Sequence, residues 1–291
     1  MGGCSANGRL FMHGPPLPQC CSPEAFKLLQ RQVETIKSSD SLLNGAIAIA
    51  MHQMPDVNPQ KIDRRLQSYV DAVRKRVRGQ QVQAILAHLH EVLFDEGGLC
   101  GNTEDYYNPI NSYLPAVLTT KRGLPITLSL IYKIVAERLG LRTWGVGLPG
   151  HFLVAVEERP GQILLIDAFS GGRILNREEA HARLQELFGE EMEWTDDMIR
   201  PATNRHWLTR ILQNLLHIFG SNKQYADVAA ILEMEMILWP KQGHLQRDLA
   251  LVLARIGMSR PASVWLDTYL RNNPDDPQKT DLKQLLDVLS T

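Results

Sequence analysis

The sequence lacks an excess of charge of either sign. Among its 291 residues, Lys and Arg together number 31, and Asp and Glu together number 32. A general nucleic-acid binder carries a strongly basic face, so this balance argues against nucleic acid as a partner. Hydrophobic residues make up 44% of the chain, which is enough for a large core. The length suits one large domain or two ordinary ones.

Cysteine is scarce, and its placement shows no disulfide framework. Three of the four cysteines lie within residues 1–21, and Cys100 stands alone. This usage is typical of a reducing compartment, so we expect a cytoplasmic protein. The stretch over residues 1–21 contains Gly, Pro and Cys with only a short apolar patch. It predicts a flexible leader rather than a signal peptide.

Long uncharged apolar runs are missing, so no membrane span is expected. The most apolar helical stretch, LPITLSLIYKIVAERLGL, contains Lys133, Glu137 and Arg138. These charges indicate a core helix. His88 and His90 are two positions apart and do not face each other on a helix. With no cysteine or carboxylate cluster beside them, neither a metal nor another cofactor is expected.

The first two-thirds of the chain mixes helices and strands. From Ser22 to about Glu96 the apolar spacing is helical, and a turn-rich stretch then leads to a core helix over Leu124–Leu139. Three short runs, RTWGVGL, HFLVAV and QILLIDAF, are rich in β-branched or aromatic residues and predict strands. We therefore expect an α+β domain over residues 22–200.

Residues 201–291 read as helices only. Pro240 and Pro274 lie 34 residues apart, and Leu232 and Leu266 repeat at the same offset. This is the period of tetratricopeptide repeats, although the Trp and Leu-Gly signature of such repeats is degraded. Because these repeats stack into concave binding surfaces, a protein or peptide partner is expected here.

Two residues at the ends of predicted strands indicate acid–base chemistry. His151 heads HFLVAV after a Pro-Gly break, and Asp167 lies in LLIDAF. If EERPG is a hairpin loop, Val156 faces Gln162. Counting back then places His151 opposite Asp167, where a carboxylate would orient the ring and stabilise its protonated form. The alternative is a purely structural contact at a sheet edge.

The segments NSYLP, RGLPI, GLPGHFLV and LLIDAF, with Gly171-Gly172, resemble the transglutaminase-like superfamily. More closely, they are similar to the bacterial SirB-type branch, in which a transglutaminase-like domain is joined to tetratricopeptide repeats. The resemblance covers roughly Ser41 to Asp275. It implies a papain-like core, a helix packed on an antiparallel sheet, followed by all-helical repeats.

The resemblance also implies a Cys–His–Asp triad, of which this chain retains two members. His151 and Asp167 match the motif. The family's cysteine opens the core helix shortly after an Arg-Gly element. Counted from Arg122-Gly123, and back from the helix end, the cysteine slot falls at Pro125. Proline has neither a nucleophilic side chain nor a backbone N–H for an oxyanion.

Other side chains are candidates to serve or surround the pair. Ser129 lies one turn below Pro125 on nearly the same face, and Thr127 lies on the other side; helix hydroxyls usually bond the backbone instead. Cys100 matches nothing in the family motif. A polar and aromatic group precedes the core helix and either forms a turn or lines the cleft: Tyr107, Asn111, Ser112 and Tyr113.

Two functions remain open on these grounds. The missing thiol favours a non-catalytic protein that binds a peptide or small ligand in its cleft and acts as an adaptor or regulator. The alternative is a cryptic hydrolase or acyltransferase, in which His151 and Asp167 act with a hydroxyl or an activated water.

Overall fold

A computed structural model describes residues 18–188 and 195–290 of the protein. Most of the leader predicted over residues 1–21 therefore lies outside the described residues. Helices come first, a sheet follows, and further helices end the chain. None of the described helices is long and apolar enough to cross a membrane.

The α-helices are α1 (Pro23–Glu34), α2 (Ser39–Met51), α3 (Pro59–Arg74), α4 (Val82–His90), α5 (Leu114–Thr120), α6 (Pro125–Arg138), α7 (Arg177–Phe188), α8 (Asn204–Ser221), α9 (Tyr225–Leu238), α10 (Gly243–Arg255), α11 (Ser259–Asn272) and α12 (Lys279–Leu289). The strands are β1 (Cys100–Gly101), β2 (Arg122–Gly123), β3 (Thr143–Leu148), β4 (His151–Arg159), β5 (Gln162–Asp167) and β6 (Arg173–Leu175).

The main sheet is antiparallel and holds its strands in chain order, β3-β4-β5-β6. The sequence predicted the first three of these strands and not the short β6. A separate two-residue parallel pair joins β1 to β2. The helix-rich α+β architecture with an antiparallel sheet is thus confirmed.

The register of the β4–β5 hairpin differs from the prediction. Val156 pairs with Leu164 rather than with Gln162, and a bulge lies between Glu157 and Arg159. The bulge adds one residue to β4, and the turn tightens to two residues. The shift amounts to two positions, and an even shift keeps every side chain on its original face.

The core helix α6 is buried along its length from Pro125 to Ala136. Proline suits its first position, where the missing N–H would have no helical acceptor. Gly140 follows the helix end with a φ of 91°, a conformation that glycine adopts without strain. The helix packs against α3, β3 and β4.

Helix α8 joins the C-terminal helices to the sheet. The fully buried Trp207 packs on Phe152, with ring centroids 4.5 Å apart, and its indole N–H donates to the carbonyl of Ile126 at 3.3 Å. One continuous hydrophobic core holds residues from both sides of the predicted boundary at residue 200. From α8 onward, each helix packs against the next.

Residues 19–21, the end of the predicted flexible leader, are held by a buried carboxylate. Glu233 of α9 is 5% exposed and accepts the backbone N–H groups of Gln19, Cys20 and Cys21 at 2.6, 3.1 and 2.8 Å. Burial raises the pKa of Glu233, and the three donors oppose that rise. This stretch therefore belongs to the packed structure.

Candidate functional site

His151 begins β4 and Asp167 ends β5, and the hairpin brings the two side chains together. Nε2 of His151 lies 3.0 Å from Oδ2 of Asp167. The side chains are almost completely buried, at 6% and 3% exposure. Nε2 makes no well-directed hydrogen bond among the described residues, so this short contact is an ion pair only when the ring carries a proton.

Asp167 is also anchored at the end of its own strand. Its Oδ1 accepts the backbone N–H groups of Phe169 and Ser170 at 3.0 and 3.1 Å, and its Oδ2 accepts the Ser170 hydroxyl at 2.9 Å. Burial by itself would raise the pKa of this carboxyl, but His151 and Ser170 outweigh burial and hold the pKa below its ordinary value. Asp167 is therefore an ionised group with every oxygen engaged.

We expect Asp167 to stabilise the fold near neutral pH and to lose this effect in acid. A carboxyl with a lower pKa in the folded state gives its full stabilisation above the unfolded pKa and loses it as pH falls through the folded pKa. Asp167→Asn should therefore reduce the free energy of unfolding in urea by about 1–3 kcal/mol near neutral pH. The loss should shrink below about pH 4, the ordinary range of aspartate.

A carboxyl carbon NMR titration identifies the cause of this pH dependence. His151→Gln should raise the pKa of Asp167, because a neutral amide replaces a group that carries charge. An equal loss of stability in acid and at neutral pH would show that the Asp167 carboxylate contributes no ionic stabilisation.

One hydrogen bond fixes how α6 faces the strand that begins with His151. The hydroxyl of the fully buried Ser129 donates to the carbonyl of Phe152 at 3.2 Å. The bond crosses to β4 instead of running back along the helix. Because Pro125 lies one turn above Ser129 on nearly the same face, the start of α6 lies at the His151 end of β4. The Ser129 hydroxyl is committed to this bond.

Strand β2, which directly precedes α6, is connected to His151 through Gly101 and Phe169. Gly123 pairs with Gly101, and a Cβ on Gly101 would come within 2.6 Å of the Phe169 ring. Phe169 in turn meets the His151 ring edge-on, with centroids 6.1 Å apart. Pro125 follows Gly123 by two positions and is the first residue of α6, the position at which the resemblance leads us to expect the family's cysteine.

The polar group before α6 lies mostly in the interior. Asn111 is fully buried, and its amide bonds the loop that precedes it. Ser112 and Tyr113 are also buried, with hydroxyls that have no partner among the described residues. Of these candidates, Tyr107 is the exposed one, at 66%, and its ring lies 5.9 Å from that of His217 on α8.

Cys100 has no base beside it in the described part of the chain. Its sulfur accepts a hydrogen bond from the Arg122 guanidinium at 2.7 Å and contacts the carbonyls of Gly98 and Lys121. These partners hold β1 against β2. Neither an imidazole nor a carboxylate is among them, so a thiol nucleophile is not assembled here.

Three residues that the sequence did not single out surround the pair. Tyr106 meets Phe169 edge-on, with centroids 6.1 Å apart. Arg210 of α8 donates to the carbonyl of His151 at 3.1 Å and to that of Leu148. Phe169 could have been found from the sequence, because it lies in the LLIDAF segment two positions after Asp167. No sequence pattern pointed to Arg210, because it is one arginine among several polar residues of the amphipathic helix α8.

The arrangement therefore holds an imidazole against a carboxylate, a pairing that can orient the ring for acid–base chemistry. His151 and Asp167 form a histidine–carboxylate pair at the start of β4. Within residues 18–188 and 195–290, no group of three or more His, Cys, Asp or Glu side chains is placed to hold a metal ion.

Comparisons with known proteins identify the family of this chain. The sequence profile of the transglutaminase-like superfamily matches residues 60–213. A UPF0162 protein of Xylella fastidiosa is 35% identical over 239 residues, which cover 80% of this chain and 84% of that protein. A UPF0162 protein of Pseudomonas aeruginosa is 26% identical over 203 residues, covering 68% and 71% of the two chains.

A eukaryotic relative is similar to this chain over only part of the relative's length. F-box only protein 21 of Mus musculus is 28% identical over 239 residues, which cover 71% of this chain and 37% of that protein. No solved structure matches the chain significantly. The superfamily profile spans more than half of this chain, and the Xylella relative matches most of both proteins. The chain therefore belongs to the transglutaminase-like superfamily, among the UPF0162 proteins.

Proposed function

We propose that this protein is a non-catalytic transglutaminase-like module that binds a peptide or protein segment and acts as an adaptor or regulator. The observation that carries the proposal is that α6 begins with Pro125, where the family's cysteine is expected, while His151 and Asp167 remain in contact. Acyl transfer needs a nucleophile and donors for the oxyanion. Proline supplies neither, whereas His151 and Asp167 still offer polar binding groups.

The C-terminal helices support a role in partner binding. Pro240 and Pro274 each follow the second helix of a pair, two residues after Leu238 and Asn272. The 34-residue period and the consecutive packing of α8 to α11 favour tetratricopeptide-like repeats. This is the architecture of the SirB-type branch, and repeats of this kind present concave surfaces to other proteins.

The alternative is a hydrolase or acyltransferase that uses a hydroxyl with His151. Ser129 is a poor candidate because its hydroxyl already donates to Phe152. Thr127 is the remaining hydroxyl near the start of α6, and its oxygen is buried without a partner among the described residues. Its position on the helix turns it away from the face of Pro125. The binding function is therefore the better supported of the two.

Hydrolysis of p-nitrophenyl acetate and labelling by a fluorophosphonate test for catalysis. We expect no adduct in the mass spectrum. We also expect one background rate for the wild type, His151→Ala and Thr127→Val, because no nucleophile is paired with the imidazole. An adduct, or a hydrolysis rate that falls with His151→Ala, would replace the binding function by the enzymatic one.

Peptides selected from a random display library test for binding. A selected peptide, titrated by fluorescence anisotropy, should lose about tenfold or more in affinity with His151→Ala, since a buried polar anchor is removed. His244→Ala, at an exposed position of α10, is the matched control and should bind normally. Equal losses in both variants, or selection of no peptide, would count against a binding cleft at His151.

A further inference from the structure

A half-buried arginine closes one side of the His151 site. From α8, Arg210 spans the Pro-Gly turn, with Nη2 donating to the carbonyl before the turn, that of Leu148, and to the carbonyl after it, that of His151. Its guanidinium carbon lies 5.7 Å from the ring centroid of Phe152. These contacts fix the position of the cation at the start of β4.

Arg210 has no ion-pair partner in the part of the chain that the structure describes. Asp167, the carboxylate of the site, is already engaged by His151, Ser170 and two backbone N–H groups. Burial lowers the pKa of Arg210, because a cation that loses water without gaining a counter-ion is disfavoured. The molecule thus keeps an uncompensated positive charge at the backbone where β4 begins.

Two of the three guanidinium nitrogens remain available. Nε and Nη1 have no hydrogen-bond partner among the described residues, and they retain contact with solvent. Nη1 faces Gly147, where an added Cβ would lie only 3.3 Å away. The absence of a side chain at Gly147 leaves this edge of the guanidinium open, and such an edge matches a carboxylate in geometry.

A phenol lies on the same side of the site. Tyr106 is half-buried, and burial raises its pKa while Arg210 opposes the rise, so its hydroxyl is a proton donor near the guanidinium. Tyr106 contacts Phe169, and Phe169 contacts His151. The Arg210 guanidinium, the Tyr106 phenol and the His151 imidazole are thus connected through Phe169 and the start of β4. The carboxylate among them, that of Asp167, is already engaged.

We propose that Arg210, with Tyr106 and His151, forms a subsite for a carboxylate group of the ligand. The proposal rests on the proposed binding function and specifies its chemistry: the bound peptide presents a carboxylate at the start of β4. That carboxylate comes either from a peptide C-terminus or from an acidic side chain, and both sources fit the same donors.

Three small probes test the subsite by NMR titration of the full chain. They are acetyl-Ala-Gly with a free carboxylate, the same dipeptide with a terminal amide, and acetyl-Glu-Gly with a terminal amide. We expect at least one carboxylate probe to bind about tenfold more tightly than the neutral one, as charge-assisted hydrogen bonds would give. The preferred probe identifies the carboxylate source, and the Arg210 side-chain N–H and His151 ring signals should shift.

Arg205 offers a matched control on the same helix. It too donates to a backbone carbonyl, that of Leu238, and its guanidinium lies 5.3 Å from the Trp239 ring centroid. Arg210→Gln should abolish the preference for carboxylate over amide, whereas Arg205→Gln should leave it intact. Arg210→Lys keeps the charge without the planar fork and should retain part of the preference.

Equal binding of charged and neutral probes by the wild type, including no binding of either, overturns the subsite without any variant. A preference that survives Arg210→Gln also overturns it. If Arg210→Gln does not fold, the preference of Arg210→Lys for carboxylate over amide is compared with that of the wild type. An undiminished preference in Arg210→Lys would then overturn the subsite. A displayed peptide that needs His151 but carries no carboxylate would refute the subsite and leave the binding function standing, whereas catalysis would refute the binding function itself.

Discussion

A cysteine introduced by Pro125→Cys should ionise well below the free-thiol pKa of about 8.5. The new thiol would stand at a helix N-terminus, where the helix dipole favours an anion. It would also lie at the His151 end of β4, where an imidazolium paired with Asp167 stabilises a thiolate. Thiolate absorbance in the ultraviolet measures the ionised fraction directly and does not require a reagent to enter the buried site.

Two variants separate the contributions to this effect. His151→Ala in the same background should return the midpoint most of the way to the free-thiol value. Pro59→Cys is the matched control, because Pro59 is the first residue of α3. A thiol there would also stand at a helix N-terminus but would not lie next to His151. It should ionise with only a modest shift.

The native thiols are better replaced than deleted in this experiment. Burial, and then Glu233, raise the pKa of Cys20 to about 11 and that of Cys21 further. Removing the whole stretch would leave the Glu233 carboxylate without its backbone donors. Cys100→Ala with serine at the other cysteines avoids this loss. A thiol at position 125 that ionises like a free one, with or without His151, would show that Pro125 is not the cysteine slot.

Trp207→Ala should reduce the free energy of unfolding by about 3–5 kcal/mol, the range for truncating a buried aromatic residue. The ring is fully buried and packs on Phe152. It also fills the space over Gly145, where an added Cβ would come within 2.2 Å of it. Since natural domains have only about 5–15 kcal/mol of stability, urea unfolding should show a large shift.

The same variant tests how firmly the C-terminal helices are joined to the sheet. Because Trp207 links α8 to β4 and α6, trypsin should cleave Trp207→Ala faster than the wild type after Arg205, in the first turn of α8. Trp239→Ala, a half-buried tryptophan whose N–H donates to Thr209, is the control and should cause a smaller loss without new cleavage there. Rapid cleavage of the wild type after Arg205 would instead mean that the two regions separate easily.

Local signals were sufficient for much of the fold. Proline at the start and glycine beyond the end placed α6 within two residues of its observed bounds, since both residues act through their own backbone. The first three strands of the sheet were predicted from their β-branched and aromatic residues. The three-residue β6 was missed because so short a run has no measurable periodicity.

The strand register, the burial of polar residues and long-range contacts were harder to predict from the sequence. The two-residue turn and the one-residue bulge at Glu157–Arg159 together left the hairpin register two positions from the predicted one, and only the even size of that difference kept His151 and Asp167 on one face. Asn111 and Ser112 lie inside the protein rather than in an open cleft. Glu233, a charge within an apolar helix, was a visible signal, but the segment that it binds lies more than 200 residues away in the chain.

The sequence by itself determined which chemistry is present and which is missing at the site. His151 and Asp167 at strand ends, and proline at the first helical position, are properties of residue type and local order. Only the tertiary structure decided what surrounds them. Arg210 reaches a carbonyl 59 residues earlier in the chain, and that approach exists because α8 packs through Trp207 onto β4. Such a contact depends on how distant surfaces fit together, for which no local pattern of residues is a guide.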